Sequence, residues 1–251
     1  MPYAIDLPIT AREKPLAHAY RALHANFLKW IAVADPALGA AVHDRPVHKP
    51  FTVSALTDDG ETEGWRWRVT LLDDILWEAF WTGLQAVGAL DIDGRIYPVR
   101  WPDAQVTHRS YESLLTGIRP ATQYRMAFVS PTTFSAGELD MPLPEPSAVI
   151  HSWLSRWNEF APAVRRIDVT LLDVVHACVG VAAIDRMYTR PHDLGRGRPP
   201  VGFLGEVTFA ITKARSLDQA HVWQLNALAD YAPFCGTGRK TTLGMGQTRR
   251  L

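Results

Sequence analysis

The C-terminal stretch Phe234-Cys-Gly-Thr-Gly-Arg-Lys-Thr-Thr-Leu-Gly-Met-Gly-Gln-Thr-Arg-Arg250 carries the densest chemistry in the chain. Gly236, Gly238, Gly244 and Gly246 let a backbone approach a ligand closely, and Arg239, Lys240, Arg249 and Arg250 add positive charge without one acid among them. Backbone amides beside basic side chains are phosphate-binding chemistry. A Walker A loop would need glycine directly before the lysine, where Arg239 stands, and a helix, a metal-binding acid and a sheet after it, for which the 11 residues beyond Lys240 leave no room. A dinucleotide fingerprint fails because Thr241 occupies the place of the third glycine and the segment follows a helical pattern. The bland alternative is a glycine-rich turn between the last helix and the last strand.

A second stretch, Val42-His43-Asp44-Arg45-Pro46-Val47-His48-Lys49-Pro50, places two imidazoles and an ammonium together. Its two prolines argue for a loop leading into the strand that starts at Phe51, where a titratable imidazole can meet solvent and substrate. It makes a poor zinc site, lacking a third ligand, an HExxH helix and a cysteine pair. A lone loop histidine is by default a solvated side chain, so spacing alone does not make His43 catalytic.

The elements that must position these groups read as two α+β domains. Tyr3 to Thr10 alternates as a half-buried strand, and His18 to Val33 places Leu23, Phe27, Trp30 and Ile31 at helical spacing, with Asp35-Pro36 as a stop. Strands over Phe51–Leu56 and Trp65–Leu71 flank an acidic hairpin loop from Asp58 to Gly64. Asp73 could cap a helix through Leu84, and strand-like runs follow at Arg95–Trp101 and Gln105–Tyr111. That order is the split βαβ of a ferredoxin-like domain. The second half repeats it loosely. Tyr124–Ser130 is a strand, Ser147–Phe160 a helix, Leu171–Tyr188 and Gly202–Thr212 strands, and Ser216 opens a helix to about Tyr231. Arg190 to Pro200 is too polar and broken to be anything but a loop. Gly117 and Pro120 mark a boundary near 117–122, giving domains 1–118 and 119–251. Trp65, Trp67, Trp77, Trp81, Trp153 and Trp157 fall at strand or helix spacing and read as core and rim.

Composition narrows the function classes. With 251 residues, 47% of them hydrophobic and 21% charged, the chain is globular rather than disordered or collagen-like. Lys+Arg and Asp+Glu both number 26, but residues 1–150 carry a net −5 and residues 151–251 a net +5, so a polyanion would favour the second half. The Arg-rich run from Arg186 to Arg198 is a further candidate contact there. No window approaches a membrane helix and no signal peptide is visible, so no membrane partner is expected. Cys178 and Cys235 have no CxxC partner and read as buried thiols in a reducing cytoplasm.

Four stretches taken together carry a family resemblance. They are Ala41-Val42-His43-Asp44 with Pro50 to Leu56, Phe128-Val129-Ser130-Pro131-Thr132-Thr133-Phe134, Pro142-Leu143-Pro144-Glu145-Pro146 ahead of a helix, and Gly202 to Val207 followed by the glycine-rich segment. The chain resembles the CRISPR-associated endoribonucleases that process precursor crRNA, the sixth-named Cas family of the RAMP superfamily. The resemblance implies two tandem ferredoxin-like (RRM-like) domains that bind CRISPR repeat RNA and cut it once without metal or other cofactor. The 2′-OH beside the scissile phosphate would attack in line, leaving a 2′,3′-cyclic phosphate and a 5′-OH. It further implies His43 as acid or base and Lys49 as a catalytic cation, with His48 the rival imidazole. RNA contacts would come from Lys29, Gly236, Gly238, Arg239, Lys240, Thr241, Gly244 and Gly246. Some members add a tyrosine on the first helix where this sequence has Leu28, Lys29 and Trp30, so the third participant is open among Lys29, Tyr20, His24 and Arg21. Other CRISPR effector subunits and a second copy of the chain stay open as partners. Two rival functions also stand: a repeat-binding effector subunit that does not cut, and a phosphate-ligand module built on the glycine-rich segment.

Overall fold

In the computed structural model, which describes residues 1–11, 19–58, 64–117, 120–195 and 197–251, contacts group the chain into two units. Unit 1 comprises Met1–His108 with Thr242–Gly244, and unit 2 comprises Arg109–Thr241 with Met245–Leu251. Grouping changes at His108/Arg109 because the following helical turn belongs to the second core. Tyr111 stands edge-on to Trp157 at 5.0 Å, and its hydroxyl lies 3.3 Å from that of Tyr231. The boundary expected at 118/119, His18 at the start of the first helix, most of the Asp58–Gly64 hairpin and Arg196 lie outside the described residues.

In unit 1, β1 (Tyr3–Thr10) leads to α1 (Tyr20–Ala34), α2 (Pro36–Asp44), β2 (Phe51–Asp58), β3 (Gly64–Leu71) and α3 (Leu76–Val87). The hairpin β4 (Ala89–Ile92) and β5 (Arg95–Pro98) and then β6 (Gln105–His108) complete it. The sheet order β2-β3-β1-β6, antiparallel throughout, is that of a ferredoxin-like domain. Register is fixed by burial: Ile5, Leu7 and Ile9 are fully buried, and a one-residue slip would turn them to the opposite face. Asp6 stands opposite Arg68 on β3 and accepts from its Nη1 at 2.7 Å. A 15-residue helix is marginal alone, so α1 is held by packing. Phe27 stacks on Phe51 at 3.9 Å and Trp30 meets Trp67 edge-on at 5.4 Å. Burying each such ring contributes about 1.5–3 kcal/mol. Trp65, Trp77 and Trp81 line the rim of the same core.

Three elements differ from the sequence expectation. Asp35-Pro36 stops α1 but also starts α2, since Asp35 Oδ1 accepts from Leu38 N at 3.0 Å and Pro36 occupies the first helical position. His43 therefore sits in the last turn of a helix rather than on a loop. Arg95–Trp101 is not a main-sheet strand: β5 pairs with β4 around Asp93 and Gly94, both at positive φ, and Val99 makes a single bridge to Ile9 of β1. Gln105–Tyr111 is strand only to His108, because Ser110 accepts from Ser113 N and begins a helical turn.

In unit 2 that turn, α4 (Tyr111–Thr116), precedes β7 (Gln123–Thr132), β8 (Phe134–Ala136), β9 (Leu139–Met141) and α5 (Pro146–Phe160). Then come α6 (Leu171–Cys178), β10 (Val179–Pro191), β11 (Val201–Ile211), α7 (Gln219–Cys235) and β12 (Thr248–Arg250). The order β10-β11-β7-β12 repeats the ferredoxin-like arrangement. Leu171–Cys178 is helix, not strand: Leu171, Val175 and Cys178 are buried at helical spacing, and tertiary burial outweighs the β preference of its valines. Trp153 and Trp157 are fully buried, and so are the thiols of Cys178 and Cys235 in the main. Among the described residues no helix is long and apolar enough to cross a membrane.

Asn26 ties α1 to the β4–β5 hairpin. Its Nδ2 donates to Ala22 O and Asp91 O, both at 2.7 Å, and its Oδ1 accepts from Asp91 N at 2.9 Å. Asn26→Leu should cost about 2–4 kcal/mol in urea unfolding by orphaning both Asp91 backbone groups; a loss below about 0.5 kcal/mol would contradict this role.

Candidate active site

The imidazoles gather at one end of unit 1. His43 is exposed in the last turn of α2, and its Nδ1 lies 2.8 Å from Asp44 Oδ1. The carboxylate accepts, so Nδ1 donates and Nε2 is the ring nitrogen left to exchange a proton. Lys49 reaches back to the end of the same helix, where Nζ donates to Val42 O at 3.0 Å and to His43 O. A cation on the last carbonyls of a helix satisfies orphan acceptors and complements the dipole. Burial lowers the Lys49 pKa, opposed by Asp44 and reinforced by Arg45. The resemblance implies Lys49 as a catalytic cation; in the structure its ammonium sits on the turn that carries His43.

His24 on α1 joins this group. Its Nδ1 is 2.9 Å from Thr242 O, a carbonyl that can only accept, which puts the proton on Nδ1 and leaves the Nε2 lone pair available in the neutral ring. Burial lowers the His24 pKa; the Thr242 bond opposes this, and the charges of Lys49, His43 and Arg21 add to it. Tyr20, one turn before His24, lies against Gly244, where an added Cβ would come within 2.5 Å of the ring. Of the four candidates for a third participant, Tyr20, Arg21 and His24 thus share one end of α1. Lys29 is exposed, about 140° around the helix from His24 at 100° per residue. His48 is half-buried between α2 and β2.

The glycine-rich segment is a tightly bonded loop. Gly236, Gly238, Gly244 and Gly246 all have positive φ, between 68° and 83°. A Cβ on Gly238 would fall 2.3 Å from Thr133 O, and one on Gly246 would fall 2.1 Å from Thr237 O. The amides of Gly236, Gly238 and Gly246 already donate to Ala232 O, Ser152 Oγ and Pro131 O at 2.8–3.0 Å. These three glycines therefore shape the loop, and their N–H groups are occupied by protein acceptors. Its side chains are more accessible: Arg239 is half-exposed and held by Asp140 at 3.2 Å, and Lys240, at φ 58°, is partly exposed. Thr241 is buried. Arg250 turns to Asp230 and Asn226, whereas Arg249 is exposed. Arg186 and Arg190 lie on β10, Arg186 donating to Glu206 at 2.8 Å. Among the described residues no three His, Cys, Asp or Glu side chains are grouped to hold a metal ion.

Residues 126–248 match the family model of the CRISPR-associated endoribonuclease Cas6. Two Cas6 product complexes superpose on the chain at TM-scores of 0.87 and 0.81, each at 25% identity over 100% of both chains. The chain is thus similar to Cas6 endoribonucleases in sequence over residues 126–248 and in fold over its whole length. A Thermus thermophilus Cas6 matches at TM-score 0.76 and 26% identity, covering 100% of this chain and 98% of that one. No curated protein matches the chain. The Cas6 model spans β7 through β12 and so contains the Ser-Pro-Thr stretch and the glycine-rich loop, while His24, His43 and Lys49 lie N-terminal to it. The tandem ferredoxin-like folds expected from the sequence are those of Cas6 and other RAMP proteins.

Sequence reasoning left His24 as one of four helix-surface candidates. The signal against a surface role was available: His24 follows Leu23 and precedes Phe27 on the buried stripe of α1. Because its folded pKa lies below the ordinary 6.5, the unfolded chain binds the extra proton first. His24 therefore adds a loss of stability as pH falls below about 6.5, which levels off beneath its folded pKa. His24→Gln should lose less stability than wild type between pH 7 and pH 5 in urea titrations; parallel profiles would show that His24 does not titrate in this way.

Proposed function

We propose that this chain processes precursor crRNA: it binds the CRISPR repeat RNA and cuts it with the 2′-OH next to the scissile phosphate as nucleophile. The observation that carries this reading is the pair of oriented histidines in a chain with the fold of Cas6. His24 has its proton on Nδ1 and is biased to the neutral state, which suits a general base drawing the 2′-OH proton to Nε2. His43, exposed and oriented through Nδ1 by Asp44, suits a general acid protonating the departing 5′-oxygen from Nε2. Lys49 fixes the turn that presents His43 and adds positive charge where the phosphorane forms.

The products are then a 2′,3′-cyclic phosphate and a 5′-OH, and no metal is needed, because the RNA supplies its own nucleophile and the histidines move the protons. Arg239, Lys240 and Lys29 supply contacts to phosphates, while Gly236, Gly238, Gly244, Gly246 and Thr241 hold the loop that presents Arg239 and Lys240. The two buried thiols fit the reducing cytoplasm in which we place this work.

The test is single-turnover cleavage of the chain's own repeat RNA in EDTA. His43→Ala should slow the cut about 10²–10⁴-fold, the usual contribution of a general acid or base, while RNA affinity changes by less than about threefold. Lys49→Ala should slow it by about tenfold or more. Cutting at the wild-type rate in His43→Ala would move the acid to His48. Tight binding with no cut by the wild-type chain would make it a repeat-binding subunit instead.

A further inference from the structure

Arg156 on α5 is only 7% exposed, yet among the described residues no carboxylate pairs with it. A buried cation without a counter-ion is costly and needs a reason. Its donors go to two places. Nη1 bonds Ser152 O at 3.0 Å and Ser152 Oγ at 2.7 Å, and Nη2 bonds Gly238 O at 2.6 Å. Ser152 Oγ in turn accepts from Gly238 N at 2.8 Å. Gly238 is thereby held at its N–H by Ser152 and at its C=O by Arg156. One residue earlier, Thr237 Oγ1 accepts from Trp153 Nε1 at 2.8 Å, and one residue later Arg239 N donates to Thr133 O at 3.0 Å.

A carbonyl alone could be satisfied by a neutral donor. The planar guanidinium does more, since one rigid fork fixes acceptors on two different elements at a set angle, here the helix and the loop. The gripped peptide immediately precedes Arg239 and Lys240. Burial lowers the Arg156 pKa, with Cys235 and Tyr231 as its polar neighbours, so the group is kept where charge is disfavoured.

We propose that Arg156, with Ser152, is a positioning residue for RNA binding, gripping Gly238 from α5 so that Arg239 and Lys240 are delivered to RNA phosphates in one preformed geometry. This rests on the RNA-processing reading above.

The test compares wild type, Arg156→Met, Arg156→Lys and Ser152→Ala in single-turnover cleavage of the repeat RNA, with melting curves for each. Arg156→Met should raise the half-saturating concentration about tenfold while the rate at saturation stays within about twofold. Arg156→Lys, which keeps charge and one donor, should recover part of that loss. Ser152→Ala, which takes the shared acceptor from Gly238 N and Arg156 Nη1, should raise half-saturation about threefold when assayed well below its own Tm. Wild-type half-saturation in both Arg156→Met and Ser152→Ala would overturn the assignment and leave the RNA-processing reading standing. So would a loss of rate and affinity that merely tracks the unfolded fraction, with Lys no better than Met. A wild-type chain that neither binds nor cuts its repeat RNA would overturn both.

Discussion

A backbone carbonyl has lone pairs and no proton to give, and that asymmetry at Thr242 orders the chemistry proposed for this chain. Because Thr242 O can only accept, His24 must donate from Nδ1, and burial keeps the ring neutral with Nε2 open. Thr242 lies within the glycine-rich segment. That segment has positive φ at four glycines, and at Gly238 and Gly246 an added Cβ would fall within 2.5 Å of a backbone oxygen. The loop is in turn bonded to α5 through Gly238 and to β7 through Gly246. A segment that reads as a ligand cradle is therefore first a structural one, its amides bonded to the protein's own acceptors.

Charge is organised in the same economical way. The formal net charge is zero, and many of the cations that could meet RNA already have partners inside the protein: Arg239 with Asp140, Arg250 with Asp230, Arg186 with Glu206. The Arg186 and Arg239 guanidinium groups are exposed or half-exposed, so their pairs are worth little in stability and can yield to a phosphate at small cost, whereas Arg250–Asp230 is largely buried. Lys49 on the end of α2 works differently, holding the helical turn that carries His43. Positioning is thus shared among ordinary interactions, a helix terminus, a carbonyl and a buried guanidinium, which suits a reaction in which the substrate brings its own nucleophile.

Much of the fold was legible from periodicity alone. The alternation from Tyr3 to Thr10 and the apolar stripe of α1 match the structure because both elements bury one face, so pattern and packing agree. Errors arose where one signal has two readings. Asp35-Pro36 is a helix stop and also an N-cap followed by proline at the first helical position, and reading only the stop hid α2 and put His43 on a loop. The Asp93-Gly94 pair announces a two-residue hairpin, and passing over it left β4 unseen. In Leu171–Cys178 the β-branched composition masked a helical spacing that burial enforces. At the site, residue types pointed to His43, Lys49 and the loop, but not to which atoms they bond. Arg156 was invisible because a lone arginine on an amphipathic helix reads as solvated until its burial among Ser152, Trp153 and Gly238 is seen.

The central claim is that the RNA supplies the nucleophile, and the chemistry of the cut ends tests it most directly. Mass spectrometry of the 5′ fragment, after cleavage in ¹⁸O-labelled water with EDTA, should show a 2′,3′-cyclic phosphate with no label, and the 3′ fragment should begin with a 5′-OH. A 3′-OH opposite a labelled 5′-phosphate would mean that water made the attack and would contradict the account.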